Sequence, residues 1–155
     1  MRLTAFTDYT LRTLMYLAMH RDKLATVHDI AELHHISQHH LTKVVHQLGL
    51  TGVIETVRGR HGGFRLNREP ADINIGQVVR SSESDFFMAE CFDQEHNTCV
   101  YNPGCVLKGV LSEATSAYLA TLDKVTLEQL VPKSAGHTKK EPASSPVKLH
   151  RQRPS

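Results

Sequence analysis

Residues 26–66 read TVHDIAELHHISQHHLTKVVHQLGLTGVIETVRGRHGGFRL, and this stretch decides the fold. Thr26 with Asp29 three residues on is a capping-box-like start for a helix through Ile30, Ala31 and Leu33. His34–Ile36 forms a turn, and Ser37 is a good N-cap for a next helix with the apolar face Leu41, Val44, Val45 and Leu48. Gly49 and Gly52 end that helix. Two short helices joined by a tight turn suggest a helix-turn-helix. Residues 53–57 (VIETV) then favour strand, RGRHGG supplies a glycine-rich turn, and FRL resumes as strand. A basic-tipped hairpin directly after a helix-turn-helix is a winged helix.

Upstream, Leu11, Leu14, Met15 and Ala18 mark one face of a helix over 7–20, with Thr7 or Asp8 able to cap it. Downstream of Pro70, INIGQVVRSSE (73–83) reads as a linking helix beginning near Ile75. From Val106 to about Leu122 a long helix carries the apolar stripe Leu107, Val110, Leu111, Ala114, Ala117, Tyr118 and Leu122. That stripe needs a covering surface, and self-association through it is the economical answer, because most soluble oligomers are two-fold dimers. Thr126–Leu130 is a short closing turn, and residues 132–155, rich in Pro, Ser and Lys, read as a disordered tail. The expected architecture is mainly α with a small β wing. It comprises a winged helix-turn-helix domain (1–72), a linking helix, cysteine loop and dimerisation helix (73–131), and a basic tail (132–155).

The formal net charge of +2 is unevenly spread. Residues 133–155 hold six Lys/Arg and one Glu, whereas the rest holds twelve bases and fifteen acids. Arg58, Arg60, Arg65 and Arg68 cluster with no acid between 56 and 68, a patch suited to phosphates. No run of eighteen apolar residues exists, and MRLTAFTDYT lacks the apolar core of a secretory signal, so a cytoplasmic protein with no membrane partner is expected. No nucleophile–base motif is present, so an enzyme is not expected.

In a helix-turn-helix the residues near the start of the second helix face base edges in the major groove. Here these are Ser37, Gln38, His39, His40, Thr42 and Lys43. Gln38 can pair with adenine and Lys43 can reach guanine or phosphate. Arg58, Arg60 and His61 at the wing meet phosphate or the minor groove, setting register more than sequence preference.

All three cysteines lie in CFDQEHNTCVYNPGC, residues 91–105, separated by gaps of seven and five. An odd number of thiols in a reducing compartment argues for metal or redox use over disulfides. Three thiolates leave one position of a metal site unfilled. Structural zinc would take His96, giving Cys3His, and an iron–sulfur cluster would take a ligand from elsewhere or leave an iron open.

The chain resembles the nitric-oxide-sensing repressors within the BadM/Rrf family of winged-helix iron–sulfur regulators. The resemblance covers roughly residues 1–131. Its carriers are LTAFTDYTLRTLMYLA, VRGRHGGFRL, INIGQVVR, the cysteines with NPGCVLK, and LDKVTLEQL. It implies a homodimer in which Cys91, Cys99 and Cys105 hold a four-iron four-sulfur cluster, with a two-iron two-sulfur cluster as a degraded or alternative form. It further implies that the fourth ligand is Asp8 from the partner subunit, steadied by Arg12 one turn later. The first cysteine gap is longer than is usual in this family. The position three after Cys105 is Lys108, where the iron–sulfur-biogenesis branch usually has histidine, which favours the nitric oxide branch.

The expected function is therefore a dimeric repressor on a palindromic double-stranded operator, with nitric oxide attacking the cluster and releasing the DNA to derepress nitrosative-stress genes. Two alternatives stand beside it: an iron- or redox-sensing regulator of the same family, and a zinc-stabilised adaptor that binds another protein through residues 106–122.

Overall fold

The computed structural model describes residues 2–102 and 104–132. The basic segment 133–155 and Pro103 lie outside the described residues. Among the described residues six α-helices and one two-stranded sheet follow in the order α1 (Ala5–Met19), α2 (Val27–His34), α3 (Gln38–Leu50), β1 (Ile54–Val57), β2 (Gly63–Leu66), α4 (Ile75–Ser82), α5 (Val106–Leu122) and α6 (Leu127–Leu130). Among the described residues no helix is long and apolar enough to cross a membrane.

Helix α1 begins earlier than its apolar periodicity indicated. Thr4 is the N-cap, its side chain accepting from the Thr7 N–H, so neither Thr7 nor Asp8 serves as the cap. The α2 capping box is built as expected. Thr26 Oγ1 accepts from Asp29 N at 3.2 Å, and Asp29 Oδ2 accepts from Thr26 N at 2.8 Å. Helix α2 closes on His35 at φ 54°, a left-handed turn in which histidine is one of the better-tolerated side-chain-bearing residues. Ser37 does sit at the N-cap of α3, but its side chain makes no capping bond. Helix α3 runs through Gly49, and the left-handed residue that lets the chain leave it is Gly52 at φ +66°.

The core of the head is the meeting of these three helices with the wing. Leu14, Ile30, Leu41 and Val44 are fully buried, joined by Ile54, Phe64 and Leu66 from the hairpin. The antiparallel register pairs Ile54 with Leu66 and Glu55 with Arg65. A further strand-like contact comes from the α1–α2 connection: Ala25 and Phe64 exchange N–H···O bonds of 3.0 and 2.9 Å. Gly63 makes this approach available, because a Cβ there would collide with the Ala25 carbonyl.

The C-terminal half returns to the head at one junction. Ile75 N donates to Val125 O and Leu127 N to Ile73 O, both at 2.9 Å. Asn74 caps α4 through Gln77 N and also donates from Nδ2 to Asp123 O at 2.7 Å. Arg80 holds the Asp123 carboxylate in a two-pronged ion pair. Leu127 of α6 is fully buried and completes the packing. Helix α5 packs along α4 with Leu111, Tyr118 and Leu122 half-buried, but no residue of α5 is fully buried. Its other stripe stays open: Val106, Leu107 and Val110 are 81%, 61% and 56% exposed.

Gly76 is the tight point of this junction, since a Cβ there would overlap the Asp123 carboxylate and sit 2.9 Å from the Asp123 backbone nitrogen. Gly76→Ala is therefore expected to destabilise the chain by about 1–3 kcal/mol, the usual cost of forced overpacking. Chemical denaturation would measure this. An unchanged midpoint would mean that α5 is not held to α4 as described.

Candidate nucleic-acid interface and cysteine loop

Burial of Leu41, Val44 and Leu48 against the head fixes which side of α3 looks outward. At 100° per residue, His39, Lys43, His46 and Leu50 fall on the side opposite this face, with Thr42 beside them. All five are exposed. His46 and Leu50 were not among the residues expected to face DNA from sequence. The i, i+4, i+7, i+11 spacing from His39 is the signal that finds them once the buried face is known.

Gln38, Thr42 and His40 have local partners. The Gln38 amide lies 3.4 Å from His28 Nδ1, and Thr42 Oγ1 donates to the Gln38 carbonyl at 2.8 Å. His40 sits to the flank, its ring stacked on Tyr9 of α1 at 6.0 Å. Ser37 is exposed at the helix start.

At the wing, Arg58, Arg60 and His61 are exposed in the hairpin turn. The expected four-arginine patch is narrower than the sequence indicated. Arg65 pairs across the strands with Glu55, Nε to Oε1 at 2.5 Å, and Arg68 Nη2 donates to the Thr51 carbonyl at 3.3 Å. The acid that neutralises Arg65 lies just outside the acid-free window, and the hairpin register brings it opposite.

Asp8 and Arg12 form a two-pronged pair on the surface of α1. Arg12 Nε donates to Oδ1 at 3.1 Å and Nη2 approaches Oδ2 at 2.9 Å. Burial, and then the Arg12 charge, hold the nearby His34 imidazole below its ordinary range. The start of α1 is tied to the end of α4, with Thr4 N and Oγ1 both donating to Glu83 Oε1 at 2.8 and 3.1 Å.

The cysteine loop runs from this end of α4 to the start of α5. Cys91 is buried within a short 3-10 turn, Glu90–Phe92, while Cys99 and Cys105 are half-exposed, and all three are free thiols. The loop is shaped by its own carboxylates. Glu90 Oε1 accepts from Thr98 Oγ1 and N, both at 2.6 Å, and these bonds hold its carboxyl below the usual range. Asp93 is likewise held low by His96, whose Nδ1 lies 2.8 Å from Oδ2, and by the Glu95 N–H. Cys99 N donates to Asn97 Oδ1 at 3.0 Å. Cys105 occupies the N-cap position of α5 without making a side-chain cap bond, so its thiol is not consumed there.

Among the described residues, no three of His, Cys, Asp and Glu converge closely enough for a single metal ion, and His96 is engaged with Asp93. The Cys3His arrangement expected for zinc is therefore not assembled. Three uncommitted thiols on one loop are a donor set that could hold an iron–sulfur cluster, whose ligands spread over a wider body than one ion. Among the described residues Asp8 forms no metal-holding group with the cysteines.

Comparison with known proteins shows the family of the chain. The chain is 52% identical over 132 residues to the HTH-type transcriptional regulator NsrR of Shouchella clausii, covering 84% of this chain and 89% of that one. It is 54% identical to the regulator of the same name from Bacillus subtilis, covering 84% and 90%. These relatives are transcriptional regulators, not enzymes. Among solved structures, T. potens IscR superposes with a TM-score of 0.67 at 24% identity, covering 84% of this chain and 85% of that one. CymR, the global cysteine regulator of B. subtilis, gives 0.67 at 26% identity, covering 84% and 95%. The Rrf2 family, described as iron-dependent transcriptional regulators, matches residues 3–133, and the chain belongs to that family.

Proposed function

We propose that this protein is a cytoplasmic, dimeric repressor that holds a four-iron four-sulfur cluster and releases its operator when nitric oxide is present. The observation that carries the reading is the loop with three free thiols between α4 and α5, directly downstream of a winged head. Support for nitric oxide as the signal comes from relatives of 52–54% identity that bear the name NsrR. Cys91, Cys99 and Cys105 are the ligands from one protomer, and Asp8 is the ligand from the other. Bound there, the cluster supplies an iron that a carboxylate holds less firmly than a thiolate would, the position open to a diatomic molecule.

The chain's own part is mechanical. Arg12 fixes the Asp8 carboxylate through two contacts, so Asp8 is presented in one orientation at the surface of α1. Helix α1 packs directly on α3, which carries His39, Lys43 and His46 outward. A tie between one protomer's loop and the other's α1 would therefore set the separation of the two recognition helices. Half-sites on a palindrome lie roughly 34–36 Å apart, so a small rotation takes one helix out of its groove. A loss of about 3–4 kcal/mol, a few hundredfold in affinity, is sufficient for derepression. The open stripe Val106, Leu107 and Val110 is the face we assign to the dimer contact, since an exposed apolar row of this kind is otherwise a liability.

The decisive experiment titrates nitric oxide into the anaerobically purified protein while following visible absorbance and operator binding together. Loss of binding in step with the absorbance change is expected. Binding that survives complete bleaching excludes nitric oxide sensing, and loss of binding on iron chelation without any response to nitric oxide selects an iron-sensing regulator instead.

Cys99→Ala is expected to abolish cluster binding while leaving the helical content intact. Asp8→Ala is expected to retain a cluster that is more labile or spectrally altered. Wild-type spectrum and lifetime in Asp8→Ala would remove Asp8 from the ligand set.

Arg58→Ala and Arg60→Ala are expected to weaken operator and unrelated DNA alike, each lowering the slope of log K against log salt by about 0.9. His39→Ala should act differently, relaxing preference at one base pair with little change in slope. Identical effects from both kinds of variant would contradict the division between wing and recognition helix.

A further inference from the structure

A turn in the middle of the cysteine loop is built from residues that open solvent does not favour. Asn102 N donates to the Cys99 carbonyl at 3.2 Å, which makes Val100 and Tyr101 the two corner residues of a tight turn. Such corners are usually Gly, Pro, Asn, Asp or Ser. Here they are a valine and a tyrosine, 87% and 75% exposed, directly after a thiol.

A surface able to receive such a corner lies beside Asp8. Ala5, Phe6, Tyr9, His40 and Lys43 line a mostly apolar cleft of about 210 Å³ between α1 and α3. The Tyr9 ring stacks on His40 within that lining. Ala5 and Tyr9 also border a wider cleft of about 540 Å³, together with Arg2, Leu3 and Asp8. Asp8 therefore opens onto the same stretch of α1. The charges of the two surfaces are complementary. Residues 83–105 hold five acids and no Lys or Arg. Arg2 and Lys43 line the two clefts, and the Asp8 charge is offset by Arg12.

We propose that Tyr101 of each protomer seats in the α1–α3 cleft of its partner, with Val100 beside it. This rests on the reading that Asp8 serves the partner's thiols. Tyr101 is two residues from Cys99, at most about 7 Å of chain, so that pairing brings the turn over the partner's α1 next to Ala5 and Tyr9. Two-fold symmetry makes the contact twice. Tyrosine suits the role, because it brings a large apolar body and is enriched at protein interfaces. The consequence is a contact with His40 and Lys43, which belong to the recognition helix itself. A rearranged loop withdraws the ring and loosens α3 against α1 in the other protomer.

The test uses full-length, anaerobically purified protein. Tyr101→p-benzoylphenylalanine, irradiated with its visible absorbance intact, is expected to give a covalent dimer whose cross-link maps by mass spectrometry to residues 5–9 or 40–43. Tyr101→Ala is expected to keep the absorbance and the dimer but to bind operator about tenfold more weakly. Tyr101→Phe keeps the ring and should match wild type. Ala5→Trp fills the cleft from an exposed helix position and should reproduce the loss. Combining it with Tyr101→Ala should cost little more, since both remove one contact. A cross-link confined to one chain, or one that maps to residues 106–122, would overturn the docking. So would wild-type operator affinity in Tyr101→Ala, or fully additive losses in the double variant. Absorbance reports the underlying reading separately. An unchanged spectrum and lifetime in Asp8→Ala would remove Asp8 as a ligand, and the position of the cross-link would still decide the docking.

Discussion

Between Ile73 and Leu127 the backbone exchanges N–H···O bonds at one small junction, with Asn74, Arg80 and Asp123 closing it. Everything C-terminal to the wing depends on this clamp. It fixes the end of α5 to the head, and the Thr4–Glu83 contacts fix the end of α4 to the start of α1. The cysteine loop thereby leaves a held end of α4 and leads into a helix whose far end is held. Exposed ion pairs such as Arg80–Asp123 contribute little by themselves. Here the pair acts with backbone bonds and a close helix approach that only Gly76 admits, and together they give one defined geometry.

That arrangement explains a division of labour. The head is stabilised by ordinary apolar burial around Leu14, Ile30, Leu41 and Phe64. The loop from Cys91 to Cys105 has little apolar burial and is held by short polar bonds from Glu90, Asp93 and Asn97. Segments of that kind lie at the low-stability end of a structure, where ligand-dependent rearrangement is least costly. A change in this loop does not require the head to unfold.

Charge follows the same separation. Inside the folded part, arginines are largely spent on holding elements together: Arg21 braces the wing base through Glu69, and Arg65 staples the hairpin through Glu55. Those contacts remove cations that the linear sequence would assign to DNA. On α3 and the wing tip, Lys43, Arg58 and Arg60 are left without a carboxylate partner among the described residues.

The sequence alone determined the local elements, because local physics creates them. The Thr26–Asp29 capping box, the period of Leu41, Val44 and Leu48, and the glycine-rich turn after Val57 all act over a few residues and need no distant partner. It also marked the thiols as a group, since they are close in the chain. Three things needed tertiary structure. Cross-strand register showed that Glu55 cancels Arg65. The buried face of α3 added His46 and Leu50 to the outward side and moved His40 to the flank against Tyr9. The clamp at Asp123 revealed why INIGQVVR carries a glycine. In each case the partners are far apart in sequence or set by rotation about a helix axis, and neither composition nor periodicity records which side chains the folded chain brings face to face.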